Sequence, residues 1–197
     1  GGLAFRSPRL NFSSCVAAVF DQRDMNIYRF LERAIGPGAV FLDVGANIGL
    51  ASLPASRLVG AGGRVLAFEA HPGTYGYLCA NLERNRAGNV TPVNRAVGAF
   101  AGPVRLHYRP DNPGETHVAR DGEAGETVEQ VTLDDYCRAA GLARVDYIKI
   151  DVEGYEAQVI EGARGLIAAN PRLVIQTEYV RRQLGKQGMT RQGVQLE

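Results

Sequence analysis

The segment Phe41–Gly49, FLDVGANIG, decides the fold of this 197-residue chain. A short strand pattern, FLDV, runs into a loop with glycine at both ends, and such strand–loop–helix segments bind nucleotides in α/β proteins. The dinucleotide spacing G-x-G-x-x-G is broken here, because Asn47 replaces the middle glycine and the third glycine comes one position early. The loop therefore predicts a ligand other than a pyrophosphate.

Asp43 narrows the choice of ligand. We expect this carboxylate to face the ligand from the end of its strand, where it repels phosphate and attracts a positive centre. S-adenosylmethionine has an ammonium, a sulfonium and no phosphate, and its own carboxylate can bind helix N-terminal amides. Glu69 ends the next strand, where an acid can accept hydrogen bonds from ribose hydroxyls. Because NAD also uses such an acid, an NAD-dependent oxidoreductase stays as the alternative.

Composition limits the class of protein. The 22 Lys and Arg residues balance 21 Asp and Glu, so no global charge gathers nucleic acid or anionic lipid. No run of about 20 apolar residues indicates a membrane span, and the N-terminal GGLAFRSPRL lacks a signal-peptide core. Three widely spaced cysteines indicate neither a disulfide framework nor a zinc site. We expect one cytoplasmic domain, with an oligomeric state that cannot be read from the pattern.

Strand and helix patterns alternate along the chain, which predicts a mostly parallel, doubly wound α/β sheet. The predicted strands are AVFLDVG, GRVLAFEA, NVTPVNRAVG, VDYIKIDVEG and RLVIQTEY. Helices are predicted for DMNIYRFLERAI, NIGLASLPASRLVG, GTYGYLCANLERN, TLDDYCRAAGL and YEAQVIEGARGLI, with Pro54 tolerated near a helix start and Thr132 and Asp135 as a capping box. GPVRLHY and ETVEQVTL predict a hairpin-like excursion with a long polar loop, which could close over the site as a lid.

These motifs, in this order, resemble the FkbM family of S-adenosylmethionine-dependent methyltransferases. The resemblance rests on FLDVGANIG, FEAHP, NLERN, NRAVG, TLDDY and IKIDVEGYEAQVIEGA, from about Gly36 to Tyr179. It implies a Rossmann-like class I methyltransferase fold that methylates a hydroxyl of a small molecule, natural product or sugar. We divide the chain into a lead-in segment and helix (1–36), a methyltransferase domain (37–180) and a tail (181–197). Two further strands of a complete fold are expected to be missing after LVIQTEY.

The same resemblance implies a set of cofactor residues. The methionine part of S-adenosylmethionine falls on Asp43, Gly45, Ala46, Asn47 and Gly49, and the ribose on Glu69. Near the third strand, Asn94 and Ala96 are candidates for the adenine edge. His71 either borders the adenosine or only starts the helix before Pro72.

Four side chains are candidates for the chemistry at the acceptor: Asp151, Glu153, Glu178 and His117. A neutral hydroxyl must lose a proton during transfer, and a carboxylate or histidine could accept it. The alternative interpretation is that Asp151 only caps the following helix and Glu153 only complements its dipole, with Lys149 paired to one of them or pointing away.

Other functions are less well supported. DVEG lacks the prolines and aromatic ring with which enzymes hold a flipped base, so we expect no nucleic-acid target. The three acids Asp151, Glu153 and Glu178 could instead bind a divalent cation, but we predict no metal site. A non-catalytic protein that keeps the fold is a further alternative, disfavoured by the intact Asp43, Gly45, Gly49 and Glu69.

Overall fold

The computed structural model describes residues 2–7, 26–108, 116–120 and 122–177, and the following elements lie in these ranges. The strands are β1 (Val40–Val44), β2 (Arg64–Phe68), β3 (Val90–Val93), β4 (Ala96–Val97), β5 (Gly102–His107), β6 (His117–Val118), β7 (Glu126–Val131), β8 (Tyr147–Ile150) and β9 (Val174–Thr177). The helices are α1 (Asn26–Ala34), α2 (Ser52–Val59), α3 (Pro72–Arg84), α4 (Leu133–Ala139), α5 (Glu156–Glu161) and α6 (Arg164–Ala169).

The first sheet is parallel throughout and has the order β3-β2-β1-β8-β9. Alternate residues of the central strands enter two apolar clusters on opposite faces: Phe41 packs in one, and Leu42 and Val44 pack in the other. Because both faces are covered, β1 is apolar at nearly every position. The predicted Rossmann-like, doubly wound fold is therefore confirmed. The order reverses between β1 and β8, where open α/β sheets bind ligands at the carboxyl ends of the strands.

The second sheet has the order β4-β7-β5-β6. β5 pairs antiparallel with β7 and with β6, which confirms the predicted excursion. The predicted third strand NVTPVNRAVG is divided in two, and its second part, β4, leaves the first sheet to pair with β7. The division falls at Asn94, whose side-chain amide donates hydrogen bonds to the carbonyls of Glu69 and Ala70 and so turns the chain away.

The predicted long helix YEAQVIEGARGLI is also divided, into α5 and α6. Gly162 lies against the backbone of Gly98, so the chain passes too close for a side chain at this point. The carboxylate of Asp134 then accepts hydrogen bonds from the N–H groups of Gly165 and Leu166, at 2.8 and 2.7 Å, and starts α6.

Smaller predictions about helix ends hold in part. Pro54 lies in the first turn of α2, where its missing N–H has no intrahelical partner to lose. The Thr132 hydroxyl accepts a hydrogen bond from the Asp135 N–H, as in a capping box. The reciprocal contact differs, because the Asp135 carboxylate accepts from the Thr132 hydroxyl. Aspartate is one methylene shorter than the glutamate of the usual motif.

An extended segment, residues 2–7, lies along α3, and we call it the strap. Asn85 and Asn81 are one helical turn apart, and each amide pairs with both the N–H and the carbonyl of a strap residue, Ala4 and Arg6 respectively. Leu3 and Phe5 pack against the apolar cluster beneath. The strap therefore binds α3 through backbone pairing on one side and apolar contact on the other.

Two points concern the length of the helices and the C-terminal residues. No helix within the described ranges is both long and apolar enough to cross a lipid bilayer. Residues 178–197 lie outside the described ranges, so the expected loss of two C-terminal strands and the boundary at residue 180 stay predictions.

Replacing Asn81 with alanine should destabilise the protein more than the same change at Asn85. Asn81 is fully buried and also donates to the Ile48 carbonyl, so its loss leaves buried backbone groups without partners. We expect the free energy of unfolding to fall by about 2–3 kcal/mol for Asn81→Ala and by about 1 kcal/mol for Asn85→Ala, whose bonds to the strap are exposed. Urea denaturation measures both, and equal losses would contradict the special role of Asn81.

Candidate active site

A cavity of about 220 Å³ opens at the carboxyl ends of β1, β2 and β8. The first sheet contributes Gly45, Asn47, Glu69 and Asp151 to its lining, and the second sheet contributes Leu106 and the segment 116–118. The cavity therefore lies at the switch point between β1 and β8, with the excursion as its outer wall. This position agrees with the rule for ligands of open α/β sheets.

Backbone geometry fixes the glycine loop. Gly45 has a φ of +79°, and a Cβ there would overlap the carbonyl oxygen of Asp151. Glycine is thus required both by the left-handed conformation and by the close approach of the β8 end. Asn47 is also left-handed, with a φ of +51°, which asparagine adopts more readily than most residues.

Several loop amides already have partners inside the protein. The N–H groups of Gly45 and Ala46 donate to the Phe68 carbonyl, and that of Asn47 donates to the Glu69 carboxylate at 2.9 Å. Ala46 and Gly49 pack inward and do not line the cavity. Of the five loop residues assigned to the methionine part, only Gly45 and Asn47 contribute to the cavity wall.

The structure differs from the expectation that Asp43 faces the ligand. Its carboxylate is fully buried beneath the loop and does not line the cavity. Ser52 at the start of α2 donates a hydrogen bond of 2.5 Å to Oδ2, and Lys149 Nζ lies 3.6 Å from Oδ1. The sequence shows that an acid ends the strand, but it does not show that a serine nine residues later and a lysine from another strand surround it.

Lys149 joins Asp43 to Asp151. Its Nζ lies 3.0 Å from Asp151 Oδ2, which confirms the expected pairing with a neighbouring carboxylate. Burial acts to lower the pKa of Lys149, but the two carboxylates outweigh it and raise that pKa above its ordinary value. Lys149 is therefore charged at neutral pH and holds Asp151 as its ion-pair partner at the cavity floor.

Glu69 ends β2 and lines the cavity. Oε2 accepts the Asn47 N–H and Oε1 accepts the His71 N–H, each at 2.9 Å. Burial raises the pKa of Glu69 to about 7, although these two hydrogen bonds act in the opposite direction. Each carboxylate oxygen keeps further acceptor capacity, so Glu69 can still accept hydrogen bonds from a ligand.

Two residues expected beside the adenosine have other contacts. Both amide hydrogens of Asn94 are used by the carbonyls of Glu69 and Ala70, and Asn94 does not line the cavity, whereas Ala96 does. His71 caps α3, with Nδ1 accepting the Thr74 N–H, and its ring stacks on Tyr108 at 3.7 Å between centroids. Burial lowers the pKa of His71. The structure thus favours the helix-start interpretation of His71.

The candidates for acceptor chemistry come together in the same cavity. Asp151, Glu153 and His117 all line it, the first two from the end of β8 and the third from β6. Glu153 has a left-handed backbone, with a φ of +53°. Glu178 lies outside the described residues. Tyr155 is the N-cap of α5, in place of the expected Asp151, and Glu156 accepts the N–H of Gly154 at 3.0 Å. The alternative that Glu153 only complements the helix dipole stays a prediction.

Sequence reasoning missed several residues of this site. Arg95 and Tyr155 line the cavity, and Ser52 holds Asp43. Glu123 contacts His117 across the turn after β6, at 3.1 Å. The sequence gives one signal for this contact: His117 and Glu123 are six residues apart within a predicted hairpin, where their side chains can meet. In the described part of the chain, no three His, Cys, Asp or Glu side chains group as a metal ion requires.

Comparison with known proteins gives three matches of interest. The 31-O-demethyl-FK506 methyltransferase FkbM of Streptomyces tacrolimicus is 34% identical, and the match covers 64% of this chain and 60% of that protein. The hexuronic acid methyltransferase AglP of Haloferax volcanii is 27% identical, with 71% and 56% covered. A solved precorrin-6y C5,15-methyltransferase of Geobacter metallireducens GS-15 is 21% identical, covers 82% of this chain and 66% of its own, and has a TM-score of 0.48.

The chain spans less than two thirds of the length of both curated relatives. The family described as the methyltransferase FkbM domain matches residues 43–189, a segment that begins in β1 and includes every cavity element described above. Because this match covers most of the sequence, the chain belongs to the FkbM methyltransferase family.

Proposed function

We propose that the protein is an S-adenosylmethionine-dependent methyltransferase. The observation that carries this proposal is a buried oxygen at the glycine loop, Asn47 Oδ1, which accepts no hydrogen bond from the described residues and belongs to a residue that lines the cavity. Buried acceptors without a donor are rare in proteins and call for one. A ligand with an ammonium group supplies N–H donors and a positive charge at the same place, as the methionine part of S-adenosylmethionine does.

The residues around the cavity fit this cofactor. Glu69 would accept hydrogen bonds from the ribose hydroxyls, Asn47 would accept one from the ammonium, and Ala96 would lie beside the adenine base. Asp43 would act from beneath the loop, through its charge. Bound there, the cofactor supplies a methyl group on a sulfonium. The protein's contribution is to orient the acceptor in line with that group and to exclude water.

The charge of the cavity disfavours NAD. Among the described residues, its lining includes the carboxylates of Glu69, Asp151 and Glu153 and one guanidinium, that of Arg95, with Lys149 paired to Asp151. The N–H groups of Gly45 and Ala46 are used within the protein and cannot cradle a phosphate. Both features oppose a pyrophosphate and are consistent with a ligand whose reactive centre is positive.

We propose a hydroxyl of a small molecule or sugar as the methyl acceptor. One curated relative is named for a hexuronic acid, and the other is named for FK506 demethylated at oxygen 31. Asp151, Glu153 and His117 line the cavity, and we infer that one of these side chains takes the hydroxyl proton. Cys79 and Cys137 are free thiols, which is consistent with a reducing compartment such as the cytoplasm.

Calorimetric titration with S-adenosylhomocysteine, with NADH as the comparison ligand, tests the cofactor. We expect S-adenosylhomocysteine to bind and NADH not to bind, because the three carboxylates in the cavity lining repel a pyrophosphate. The matched variants are Glu69→Ala, which removes an acceptor in the cavity and should weaken binding, and Glu129→Ala on the exposed side of β7, which should not. Binding of NADH alone would overturn the proposal.

Methyl transfer is tested with a panel of acceptors. We expect transfer to a hydroxyl of at least one of glucuronic acid, its methyl glycoside, glucose and a demethylated macrolide, detected as one added methyl group by mass spectrometry. His117→Gln should then lower kcat while S-adenosylhomocysteine still binds, since the ring would act on the acceptor. Tight cofactor binding without transfer to any member of the panel would favour the non-catalytic alternative.

The affinity for S-adenosylhomocysteine should rise between pH 6 and pH 8. The pKa of Glu69 is about 7, so the carboxyl is mostly protonated at the lower pH and mostly ionised at the higher. An ionised carboxylate accepts hydrogen bonds from ribose hydroxyls more strongly than a neutral acid does. We expect an increase of about tenfold at most, which calorimetry at both pH values measures. Glu69→Gln should remove the pH dependence, and a variant that keeps it would place its origin in another group.

A further inference from the structure

Lysine is rare in this chain. Of the 22 Lys and Arg residues, only two are lysines, Lys149 and Lys186. Lys149 lies on β8 between the buried Asp43 and the partly exposed Asp151, and only 13% of its own side chain is exposed. An ammonium is a compact charge with three N–H donors, so it can serve two carboxylates at once, whereas the planar guanidinium of arginine favours one carboxylate through two parallel bonds. The residue type at position 149 therefore suits a place between two acids.

The two acids hold the ammonium at different distances. Nζ of Lys149 lies 3.0 Å from Asp151 Oδ2, within hydrogen-bond range, and 3.6 Å from Asp43 Oδ1. Lys149 and Asp43 are paired in the register of β1 and β8, and the Ser52 hydroxyl holds the other oxygen of Asp43. The ammonium is thus fixed from the centre of the sheet, and its nearest acceptor is Asp151.

The contact with Lys149 determines which oxygen of Asp151 a ligand can reach. The backbone of Asp151 is fixed, because its N–H donates to the Val44 carbonyl at 3.0 Å and its own carbonyl oxygen lies against Gly45. Rotation of the side chain would break an ion pair that is mostly shielded from water. Within the described ranges Oδ1 accepts no hydrogen bond, and 40% of the side chain is exposed. Because Asp151 lines the cavity, Oδ1 is the oxygen available to a ligand there.

We propose that Lys149 is a positioning residue, which orients Asp151 so that Oδ1 accepts the hydrogen bond of the acceptor hydroxyl and holds that oxygen in line with the methyl group. The role rests on the proposed methyl transfer and adds to it a residue that does not itself line the cavity. A fixed carboxylate reduces the number of orientations open to the hydroxyl, and orientation of this kind contributes to the rate of a displacement.

The ion pair can be tested without an acceptor. Selective ¹⁵N labelling of lysine in the full chain gives two side-chain signals, and Lys186→Arg assigns the remaining one to Lys149. We expect the Lys149 ammonium to exchange slowly with water in the wild type and faster in Asp151→Ala, which removes its nearest acceptor. An ammonium that exchanges as fast as that of free lysine in the wild type, or equally slowly in both proteins, would overturn the proposal.

A double-mutant cycle with an acceptor that the wild type methylates tests the orientation. In Asp151→Asn the Lys149 ammonium should take the amide oxygen, which leaves the NH₂ group to face the cavity, where it cannot accept from a hydroxyl. We expect kcat to fall about 100-fold in this variant and about tenfold in Lys149→Met, where the carboxylate is no longer held. In the Lys149→Met background, Asp151→Asn should lower kcat by less than about threefold more, because the amide can then turn its oxygen to the hydroxyl. Equal losses from Asp151→Asn in both backgrounds would mean that Lys149 does not position Asp151.

The chain offers a matched control at the other end of β8. The Arg144 guanidinium lies 3.0 Å from the Asp146 carboxylate, so Arg144→Met also removes a cation from an acid and should leave kcat unchanged. Lys149→Met leaves the buried Asp43 without its cation and can fail to fold for that reason. The cycle is then run in the Asp43→Asn/Lys149→Met background at saturating S-adenosylmethionine, with the same expected result.

Failure of the positioning role and failure of the proposed function are distinguishable. If the wild type does not bind S-adenosylhomocysteine, or methylates no acceptor, the proposed function is wrong and the role of Lys149 falls with it. If the wild type binds the cofactor product and methylates an acceptor, but Asp151→Asn lowers kcat equally in both backgrounds, only the positioning role is wrong.

Discussion

The ion pair between Asp43 and Lys149 is the contact on which the rest of the site depends. The two residues are direct partners in the register of β1 and β8, and both lie on the face that α2 covers. A buried carboxylate is costly without a partner, so the strand pairing, the position of Ser52 and the charge of Lys149 constrain one another. The ammonium of Lys149 also binds Asp151. The position of Asp151 at the floor of the cavity therefore depends on the pairing of β1 with β8 at the centre of the sheet.

Most of the fold could be predicted because its signals are local and periodic. β1 and β8 are apolar at nearly every position, as strands buried on both faces must be, and helices alternate with them. What could not be predicted depends on contacts between distant residues. The NVTPVNRAVG strand divides because the Asn94 amide finds carbonyls at the end of β2, and α5 ends because Gly162 meets the backbone near Gly98. The helix and strand propensities of Asn94 and Gly162 predict neither contact.

The site shows the same division. The glycine loop, Glu69 and Asp151 could be placed at one sheet edge from strand order alone, and they do lie in one cavity. The orientation of each side chain could not be read in this way. Asp43 bonds Ser52 at the start of α2, Asn94 bonds backbone carbonyls and His71 caps α3, because each finds a nearer partner than a ligand. Polar type and position restrict where a residue lies, but competing hydrogen bonds decide what it touches.

The strap has a consequence for how the first residues of the chain can vary. Asn81 and Asn85 bind only backbone atoms at Ala4 and Arg6, whose side chains are exposed, while Leu3 and Phe5 are half-buried. The side chains at positions 4 and 6 are thus not constrained by this contact, whereas those at positions 3 and 5 must stay apolar. Asn81 also donates a hydrogen bond to the Ile48 carbonyl in the glycine loop. A substitution that displaces the strap from Asn81 is therefore expected to affect the shape of that loop as well.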